Sequence, residues 1–205
     1  MTAHDVARFE AAIAAGGVGL FPADTVYGLA VDPESQRAVR RLYELKGRPP
    51  QRPSAVMFFQ LDTAVAALRA LPPRTADALR RLLPGRITTL VPNPEHRFPL
   101  ACGPDPGRLG VRVPALTAAI APLAAIRRPL MQSSANLSGG QDARRLKDVD
   151  PAIRAGVDAD LDGGDLPGVP STVIDLTSYG DRGEYEIVRE GAVATSEVVA
   201  ILERE

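Results

Sequence analysis

Residues 18–31 read VGLFPADTVYGLAV, and this stretch predicts two short strands joined by a tight turn. Its first four residues are typical of a buried strand, and residues 22–24 contain the proline and aspartate that favour a turn. Residues 25–31 carry aromatic and β-branched side chains, which favour a second strand. Thr25 and Tyr27 are therefore expected on one side of that second strand.

The rest of the chain alternates between helical and strand patterns. Helices are predicted over 5–15, 33–45, 62–71, 75–83, 116–126 and 195–204. Strands are predicted over 55–59, 87–91, 109–113, 130–133, 172–176 and 185–188, with loops over 92–108 and, apart from one short helix, 138–168. Gly16-Gly17 fits a helix C-terminal cap, and Thr195 or Ser196 fits the N-cap of the last helix. This alternation predicts one α/β domain over residues 1–205, with a mixed sheet and flanking helices.

The composition is that of an ordinary globular protein, because 45% of the 205 residues are hydrophobic and 24% are charged. No run approaches the roughly 18 apolar residues of a membrane span, and residues 1–10 have no apolar signal core. The single cysteine, Cys102, cannot form an internal disulfide, so we expect a reducing, cytoplasmic setting. A formal net charge of -1 argues against non-specific coating of nucleic acid.

Several common catalytic signatures are missing from the sequence. No G-x-x-x-x-G-K-[ST] or G-x-S-x-G pattern occurs, and Gly17-Val18-Gly19 lacks the third glycine of a dinucleotide fingerprint. The two histidines, His4 and His96, and the lone Cys102 are not arranged in any catalytic or zinc-binding pattern. The sequence therefore predicts neither a covalent nucleophile nor a zinc cluster.

Seven polar segments bounded by Gly or Pro lie instead at predicted strand ends, where ligands collect in open α/β sheets. They are FPADTVYGL at 21–29, KGRP at 46–49, PGRIT at 84–88, VRVP at 111–114, SSANLSG at 133–139, STVID at 171–175 and VREG at 188–191.

The second of these segments contains one of only two lysines, Lys46 and Lys147, among 24 basic residues. Lys46 and Arg48 flank a glycine that permits close backbone approach, so both cations can face one anion such as a polyphosphate. The alternative is that Lys46 only complements the dipole at the end of the preceding helix. Lys147 lies in a charged run and is interpreted as a surface residue.

The other segments also leave two interpretations open. Ser134 and Asn136 can both point into one cleft, or they can form an ordinary Asx turn. Arg112 lies inside a β-like run and is either a solvent-facing residue or a carboxylate clamp at a strand end. Ser171 and Thr172 open a strand, where hydroxyl groups are also common for purely structural reasons.

Taken in order, the seven segments resemble the signature of the YrdC-like family of threonylcarbamoyl-AMP synthases. That signature reads P-T-D-T-V-Y-G-L, K-x-R-P, P-G-x-x-T, V-R-x-P, S-A-N-x-S-G, S-T-V-I-D and R-x-G, and here it spans residues 22–191 with one substitution in its first motif. The resemblance implies the short, single-domain type of the family. It also implies a twisted open α/β sheet with a concave basic face.

The resemblance implies a nucleotidyltransferase that condenses L-threonine, bicarbonate and ATP to threonylcarbamoyl-AMP and pyrophosphate. Mg²⁺ is expected with ATP, held mainly by the phosphates. A tRNA-modifying threonylcarbamoyl transferase complex would then use the product to form N6-threonylcarbamoyladenosine in tRNA. Direct contact with tRNA is left open, and no membrane partner is implied.

The resemblance also assigns roles, motif by motif. Lys46 and Arg48 bind the ATP phosphates and stabilise charge during the reaction. Further ATP contacts are assigned to Asn136, Arg189 and Arg108. The threonine-binding residues are Thr25, Ser134, Arg112 and Ser171, with Arg112 on the carboxylate. No protein side chain is assigned to a metal.

This chain departs from the family pattern at Ala23, Arg52, Ser54, Met57 and Arg86. Met57 stands where many members carry a histidine on the threonine side. One alternative is therefore a paralogue that makes a different carbamoyl-type adenylate. A second alternative is a non-catalytic RNA-binding module, although aromatic residues for stacking are only 4% of the chain.

Overall fold

The computed structural model describes residues 1–49 and 51–203, and its strands form one mixed sheet. In chain order the strands are β1 (Gly19–Pro22), β2 (Tyr27–Val31), β3 (Ala55–Met57), β4 (Ile87–Pro92), β5 (Arg108–Arg112), β6 (Leu130–Ser134), β7 (Ala159–Asp160), β8 (Thr172–Asp175) and β9 (Glu186–Arg189). The order across the sheet is β7-β1-β2-β6-β3-β5-β4-β8-β9. The pairs β1/β7, β3/β5 and β4/β8 are parallel, and the other neighbouring pairs are antiparallel. The structure thus confirms the predicted α/β class and mixed sheet.

The helices flank this sheet. They are α1 (Ala3–Ala14), α2 (Gln36–Leu45), α3 (Leu61–Ala67), α4 (Pro73–Leu82), α5 (Pro99–Cys102), α6 (Pro151–Gly156), α7 (Tyr179–Arg182) and α8 (Thr195–Leu202), with 3₁₀ segments at Ala118–Ala125 and Leu146–Asp148. None of the helices in the described ranges is both long enough and apolar enough to cross a membrane.

The two faces of the sheet differ in how they are covered. On one face Val56, Val111 and Ile174 are fully buried in a cluster that includes side chains of α2, α4 and α8. The opposite face is covered at the β1/β2/β6 end, where α1 packs through Phe9 and Ile13. The rest of this second face remains accessible. Burial on the first side therefore leaves the second side available for ligands.

We call the accessible part of this second face the open face, and define it by Ala55, Leu90, Gly110 and Val173. These four residues are partly exposed and lie on β3, β4, β5 and β8. Ala55 and Leu90 are both in register with Gly110, so the side-chain positions of all three point to the same side of the sheet.

The loop between β1 and β2 is longer than the sequence predicts. Strand β2 begins at Tyr27 rather than residue 25, because Asp24 adopts a left-handed conformation with φ 61° and Thr25 stays in the turn. The Tyr27 hydroxyl bonds to Asp162 and Gly164, whereas the Thr25 hydroxyl donates to the Ala23 carbonyl oxygen. The expectation that Thr25 and Tyr27 share one side of a strand is therefore wrong.

Other differences concern short elements. The helix predicted over 116–126 is a continuous 3₁₀ segment that contains Pro122, and α5 lies inside a region predicted as loop. The N-cap of α8 is Ala194, because the Thr195 hydroxyl bonds to Glu190 instead of capping the helix. The predicted end of that helix, Arg204, lies outside the described residues.

The predicted glycine cap after α1 is confirmed. Gly16 has a φ of 80°, and its N–H donates to the Ile13 carbonyl oxygen. The N–H of Gly17 donates to the Ala12 carbonyl oxygen. These two bonds form a Schellman motif, which ends the helix and turns the chain into β1.

Candidate anion-binding and active site

Lys46 is the buried centre of the first group of predicted site residues. It is the C-cap residue of α2, and only 2% of its surface is exposed. Its ammonium donates to the Ser134 carbonyl oxygen, to the Asn136 carbonyl oxygen at 2.7 Å and to Asn136 Oδ1 at 2.9 Å. All three N–H groups therefore bind the turn after β6, and the simple helix-dipole interpretation does not account for them.

The charge of Lys46 is costly in this position. Burial and, to a smaller extent, the nearby Arg48 lower the pKa of its ammonium from 10.5 to about 8, against an opposing effect of Asp142. Direct contact with a phosphate, as the resemblance implies, requires the ammonium to exchange one of its three protein oxygens for a phosphate oxygen.

Arg48 lies beside Lys46 and bridges two elements. Its Nη1 donates to Ser133 Oγ at 2.9 Å, and its Nη2 donates to the Pro53 carbonyl oxygen at 2.6 Å. Its Nε is buried without a hydrogen-bond partner. Burial lowers the pKa of this guanidinium. The side chain thus links β6 to the segment before β3 and keeps one donor unused.

The turn after β6 holds the other two members of this group close together. The Ser134 hydroxyl donates to Asn136 Oδ1 at 2.6 Å, and Asn136 Nδ2 donates to the Gly140 carbonyl oxygen at 2.6 Å. Ala135 is buried behind them in the main core. Lys46, Arg48, Ser134 and Asn136 therefore form one connected site, which we call the Lys46 cluster.

Arg112 is the centre of a second group, at the end of β5. Only 4% of its surface is exposed. Its Nη2 donates to Asp24 Oδ1 at 2.6 Å and to the Thr25 hydroxyl and the Ala23 carbonyl oxygen at 3.2 Å. Its Nε is buried and has no partner. The interpretation of Arg112 as a solvent-facing residue is therefore wrong.

Asp24 is a site residue that the sequence prediction missed. It is 2% exposed, and its Oδ2 accepts a hydrogen bond from the Ala115 N–H at 2.9 Å. Burial raises the pKa of this carboxyl from 3.8 to about 6, although Arg112, the Ala115 N–H and Arg86 lower it in part. The available signal was its position in FPADTVYGL, between two predicted strands.

Ser171 and Arg189 form a third group beside the second. The Ser171 and Thr88 hydroxyl oxygens are 2.8 Å apart, and Arg189 donates from Nη2 to the Ser171 carbonyl oxygen at 2.7 Å. Arg189 is close enough to lower the pKa of Arg112. The sequence prediction missed Thr88, although it lies in the quoted segment PGRIT.

Arg108 lies at the opposite end of β5 from Arg112. The two residues are four positions apart on one strand, so their side chains leave the sheet on the same side as position 110. The Arg108 guanidinium is 3.2 Å from Asp175 and 3.8 Å from Asp105. The structure places it at the far edge of the open face, without a hydrogen bond to the other predicted site residues. Its ATP contact stays a prediction.

The departures from the family pattern fall in different places. Met57 is fully buried and in register with Arg112, so it adds an apolar wall next to that guanidinium. Arg86 acts electrostatically on Asp24. The Ser54 hydroxyl bonds to the Tyr43 hydroxyl, which indicates a structural role for this side chain. Arg52 contributes only its carbonyl oxygen to that hydroxyl, and nothing in the structure explains its side chain. Ala23 is buried in the cluster around α1.

These features define a class of protein: an open mixed α/β sheet with buried cations at the ends of its strands and no side-chain nucleophile pattern among them. The chain belongs to the Sua5/YciO/YrdC family, because the family model Sua5_yciO_yrdC, which carries the description "Telomere recombination", matches residues 11–191.

Named relatives share a large part of the chain. A threonylcarbamoyl-AMP synthase of Xanthomonas axonopodis pv. citri is 35% identical over 164 residues, covering 78% of this chain and 86% of the relative. A threonylcarbamoyl-AMP synthase of Pyrococcus abyssi is 28% identical over 188 residues, covering 91% of this chain. The chain spans only 54% of the Pyrococcus protein.

A solved structure shows the same fold. The crystal structure of P. abyssi Sua5 complexed with L-threonine matches 99% of this chain with a TM-score of 0.83 and 28% identity. The match covers 58% of the Sua5 chain.

Proposed function

We propose that this chain is a threonylcarbamoyl-AMP synthase, which condenses L-threonine, bicarbonate and ATP and releases pyrophosphate. The names of the relatives and the threonine bound to P. abyssi Sua5 support this activity and substrate. The site residues support it independently, since the reaction brings together two anionic substrate groups, a carboxylate and a triphosphate.

One observation carries the proposal. In the described part of the chain, four buried side-chain nitrogen or oxygen atoms have no hydrogen-bond partner, and two of them are Nε of Arg48 and Nε of Arg112. A buried donor without a partner costs about 1–3 kcal/mol, so an unused guanidinium N–H is best explained by a ligand that binds there. We assign the triphosphate to Arg48 and the threonine carboxylate to Arg112.

The chemistry matches what these residues can provide. The threonine nitrogen and bicarbonate combine to a carbamate with loss of water. A carbamate oxygen then bonds to the α-phosphorus as the bond to the β-phosphate oxygen breaks, and pyrophosphate leaves. Orientation of the two substrates and stabilisation of phosphate charge supply the catalysis, so no covalent nucleophile is needed. Lys46, Arg48 and Arg189 provide the positive charge.

We further propose that Mg²⁺ enters with ATP and is bound mainly by its phosphate oxygens. Among the residues that the structure describes, no three His, Cys, Asp or Glu side chains are grouped so that they could bind a metal ion. Oxygen atoms of Ser134 and Asn136 in the Lys46 cluster are of the type that Mg²⁺ prefers. The ion would neutralise charge on the leaving pyrophosphate.

The product would be passed to a tRNA-modifying threonylcarbamoyl transferase complex. A mixed anhydride of a carbamate and a phosphate is reactive toward water, so transfer to a partner soon after synthesis is expected. We propose, on the basis of this role, that the protein acts in the cytoplasm.

Pyrophosphate release tests this function directly. The protein is incubated with ATP and bicarbonate and with each amino acid in turn, including threonine and serine. Release that depends on threonine supports the proposal, and its absence would refute it. Release with another amino acid instead would favour the paralogue interpretation, in which Met57 has changed the substrate. Lys46→Ala should abolish turnover and leave the fold intact.

A further inference from the structure

Asp24 is held more firmly than an ordinary turn residue. Its φ of 61° is unusual for a residue other than glycine and costs about 1–3 kcal/mol unless surrounding contacts compensate for it. Both carboxylate oxygens are bound, Oδ1 by Arg112 on β5 and Oδ2 by the N–H of Ala115 just beyond β5. The carboxylate therefore ties the β1–β2 turn to the end of β5.

The contact with Asp24 uses only one nitrogen of Arg112. The hydrogen bonds of this guanidinium come from Nη2, while Nε is buried without a partner. Nη1 makes no hydrogen bond within the described residues. Both parallel N–H pairs of a guanidinium include Nη2, so a second carboxylate cannot form a two-bond pair with Arg112 while Asp24 is bound. Asp24 therefore fixes the orientation of Arg112 and leaves Nε–H and the Nη1 N–H groups for single hydrogen bonds to a second anion.

The surrounding charges favour a second anion at this place. Asp24 faces Arg112 on β5 and is within electrostatic reach of Arg86 from the turn before β4. Arg189 on β9 acts on Arg112 from the other side. Three guanidinium groups and one carboxylate leave an excess of positive charge around the buried Arg112, which attracts an anion.

We infer that Asp24 is the positioning residue of the amino-acid pocket: it holds Arg112 by Nη2 so that a remaining N–H group, on Nε or Nη1, donates to the carboxylate of the substrate. This role rests on the proposed function, because it takes threonine as the ligand of Arg112. It also gives a purpose to a buried carboxylate in a strained turn.

The test is Asp24→Asn, which keeps the size of the side chain and removes its charge. We expect the KM for threonine to rise about tenfold, which corresponds to a loss of about 1.4 kcal/mol of binding free energy. The KM for ATP should not change. In the unmodified protein kcat/KM for threonine should fall as pH drops below about 6, because the protonated carboxyl no longer pairs with Arg112. Asp24→Asn should lack this acid-side decline.

Asp158→Asn is a matched control. Asp158 also accepts one arginine bond at 2.6 Å, from Arg41, and one backbone bond at 2.7 Å, from Val18, but it lies beside β1 at the other end of the sheet. This variant should leave both KM values unchanged. Equal rises of the threonine and ATP KM values in Asp24→Asn would overturn the inference, because they would indicate a general loss of structure.

Calorimetric binding of L-threonine separates this inference from the proposed function. If the unmodified protein turns over and Asp24→Asn binds threonine equally well, the positioning role is refuted while the function stands. If the unmodified protein binds threonine but releases no pyrophosphate, the function fails. In that case weaker threonine binding by Asp24→Asn still supports the positioning role, and unchanged binding refutes it.

Discussion

Lys46 ends a helix and also provides the buried ammonium at the centre of the Lys46 cluster. It ends α2, yet its ammonium lies beneath the turn after β6 and binds three oxygens of Ser134 and Asn136. A tetrahedral ammonium can reach three convergent acceptors, whereas a planar guanidinium spreads its donors in a fork. This geometry explains why a chain that otherwise favours arginine has a lysine at this position.

Lys46→Arg tests this explanation. The bulkier guanidinium cannot satisfy the same three oxygens, so we expect kcat to fall about 100-fold. In the unmodified protein the rate should decline as pH rises through about 8, where the ammonium loses its proton. Arginine keeps its charge, so the residual activity of Lys46→Arg should not show this decline.

The pH profile of pyrophosphate release between pH 7 and pH 9.5 (roughly one unit or more on either side of the Lys46 pKa) checks both expectations. Wild-type kcat in Lys46→Arg would contradict the geometric explanation. Persistence of the alkaline decline in that variant would show that another group titrates.

The sequence identified most of the site residues but not how they are connected. Lys46 attracted notice because lysine is rare here, and Ser134 and Asn136 because they follow a strand. The Asp24–Arg112 pair joins residues 88 positions apart, and no local pattern encodes such a contact. The motif therefore contained Asp24, but the sequence could not predict its ion pair with Arg112.

At the scale of elements, Thr172 shows that part of a motif serves the fold. Its hydroxyl donates to the Val193 carbonyl oxygen at 2.5 Å and accepts from the N–H groups of Gly191 and Val193, both at 3.0 Å. These bonds attach the segment after β9 to the start of β8. Thr172 therefore has the structural role that hydroxyl groups often have at the start of a strand. Ser171 instead contacts the Thr88 hydroxyl and Arg189, which belong to the third group of site residues.

Thr172→Val should destabilise the fold. The substitution keeps the shape but leaves the Gly191 and Val193 groups without their partner, so we expect the free energy of unfolding to fall by about 2–3 kcal/mol. Thr89→Val is the matched control, since Thr89 is equally buried but makes a single bond, to the Val111 carbonyl oxygen. Urea unfolding measures both variants. Equal losses would show that the number of hydrogen bonds does not set the cost.

The elements that sequence patterns recovered are those with continuous apolar runs. Strands β4, β5 and β6 lie within one residue of their predicted bounds, because each has a buried face that fixes its extent. Strand β7 has only two residues and exists through pairing with β1. Helix α5 has four residues and follows a proline-rich loop. Such short elements depend on tertiary contacts, which a local pattern does not contain.

At the scale of the whole molecule, the sheet separates packing from binding. One face and one end of the other are buried by helices. The Lys46 cluster lies at the end of β6, and the Arg112 group lies at the end of β5, where the Arg112 side chain is on the same side of the sheet as position 110. The alternation of helices and strands predicted the class but not the strand order, because five of the eight neighbouring strand pairs are not consecutive in the sequence. That the open face is basic overall stays a prediction.

This arrangement predicts separable effects of the two ligands on stability. A ligand present at about 100 times its Kd adds about 2.7 kcal/mol to the stability of a protein. For a chain of this size that corresponds to a rise in Tm of about 5–10 °C. Threonine and ATP should each raise the Tm of the unmodified protein.

Arg112→Lys should lose most of the rise caused by threonine and keep the rise caused by ATP. Differential scanning fluorimetry gives both values, and Arg41→Lys, in the exposed ion pair with Asp158, serves as the control. Loss of both rises in Arg112→Lys would argue against separate pockets.

The central claim is that the chain makes threonylcarbamoyl-AMP, and the most direct measurement is mass spectrometry of the product formed from ATP, L-threonine and ¹³C-bicarbonate. We expect an adduct of AMP and threonine that carries the labelled carbon, together with an equal amount of pyrophosphate. Release of pyrophosphate without a labelled adduct, or an adduct that forms equally well without threonine, would contradict it.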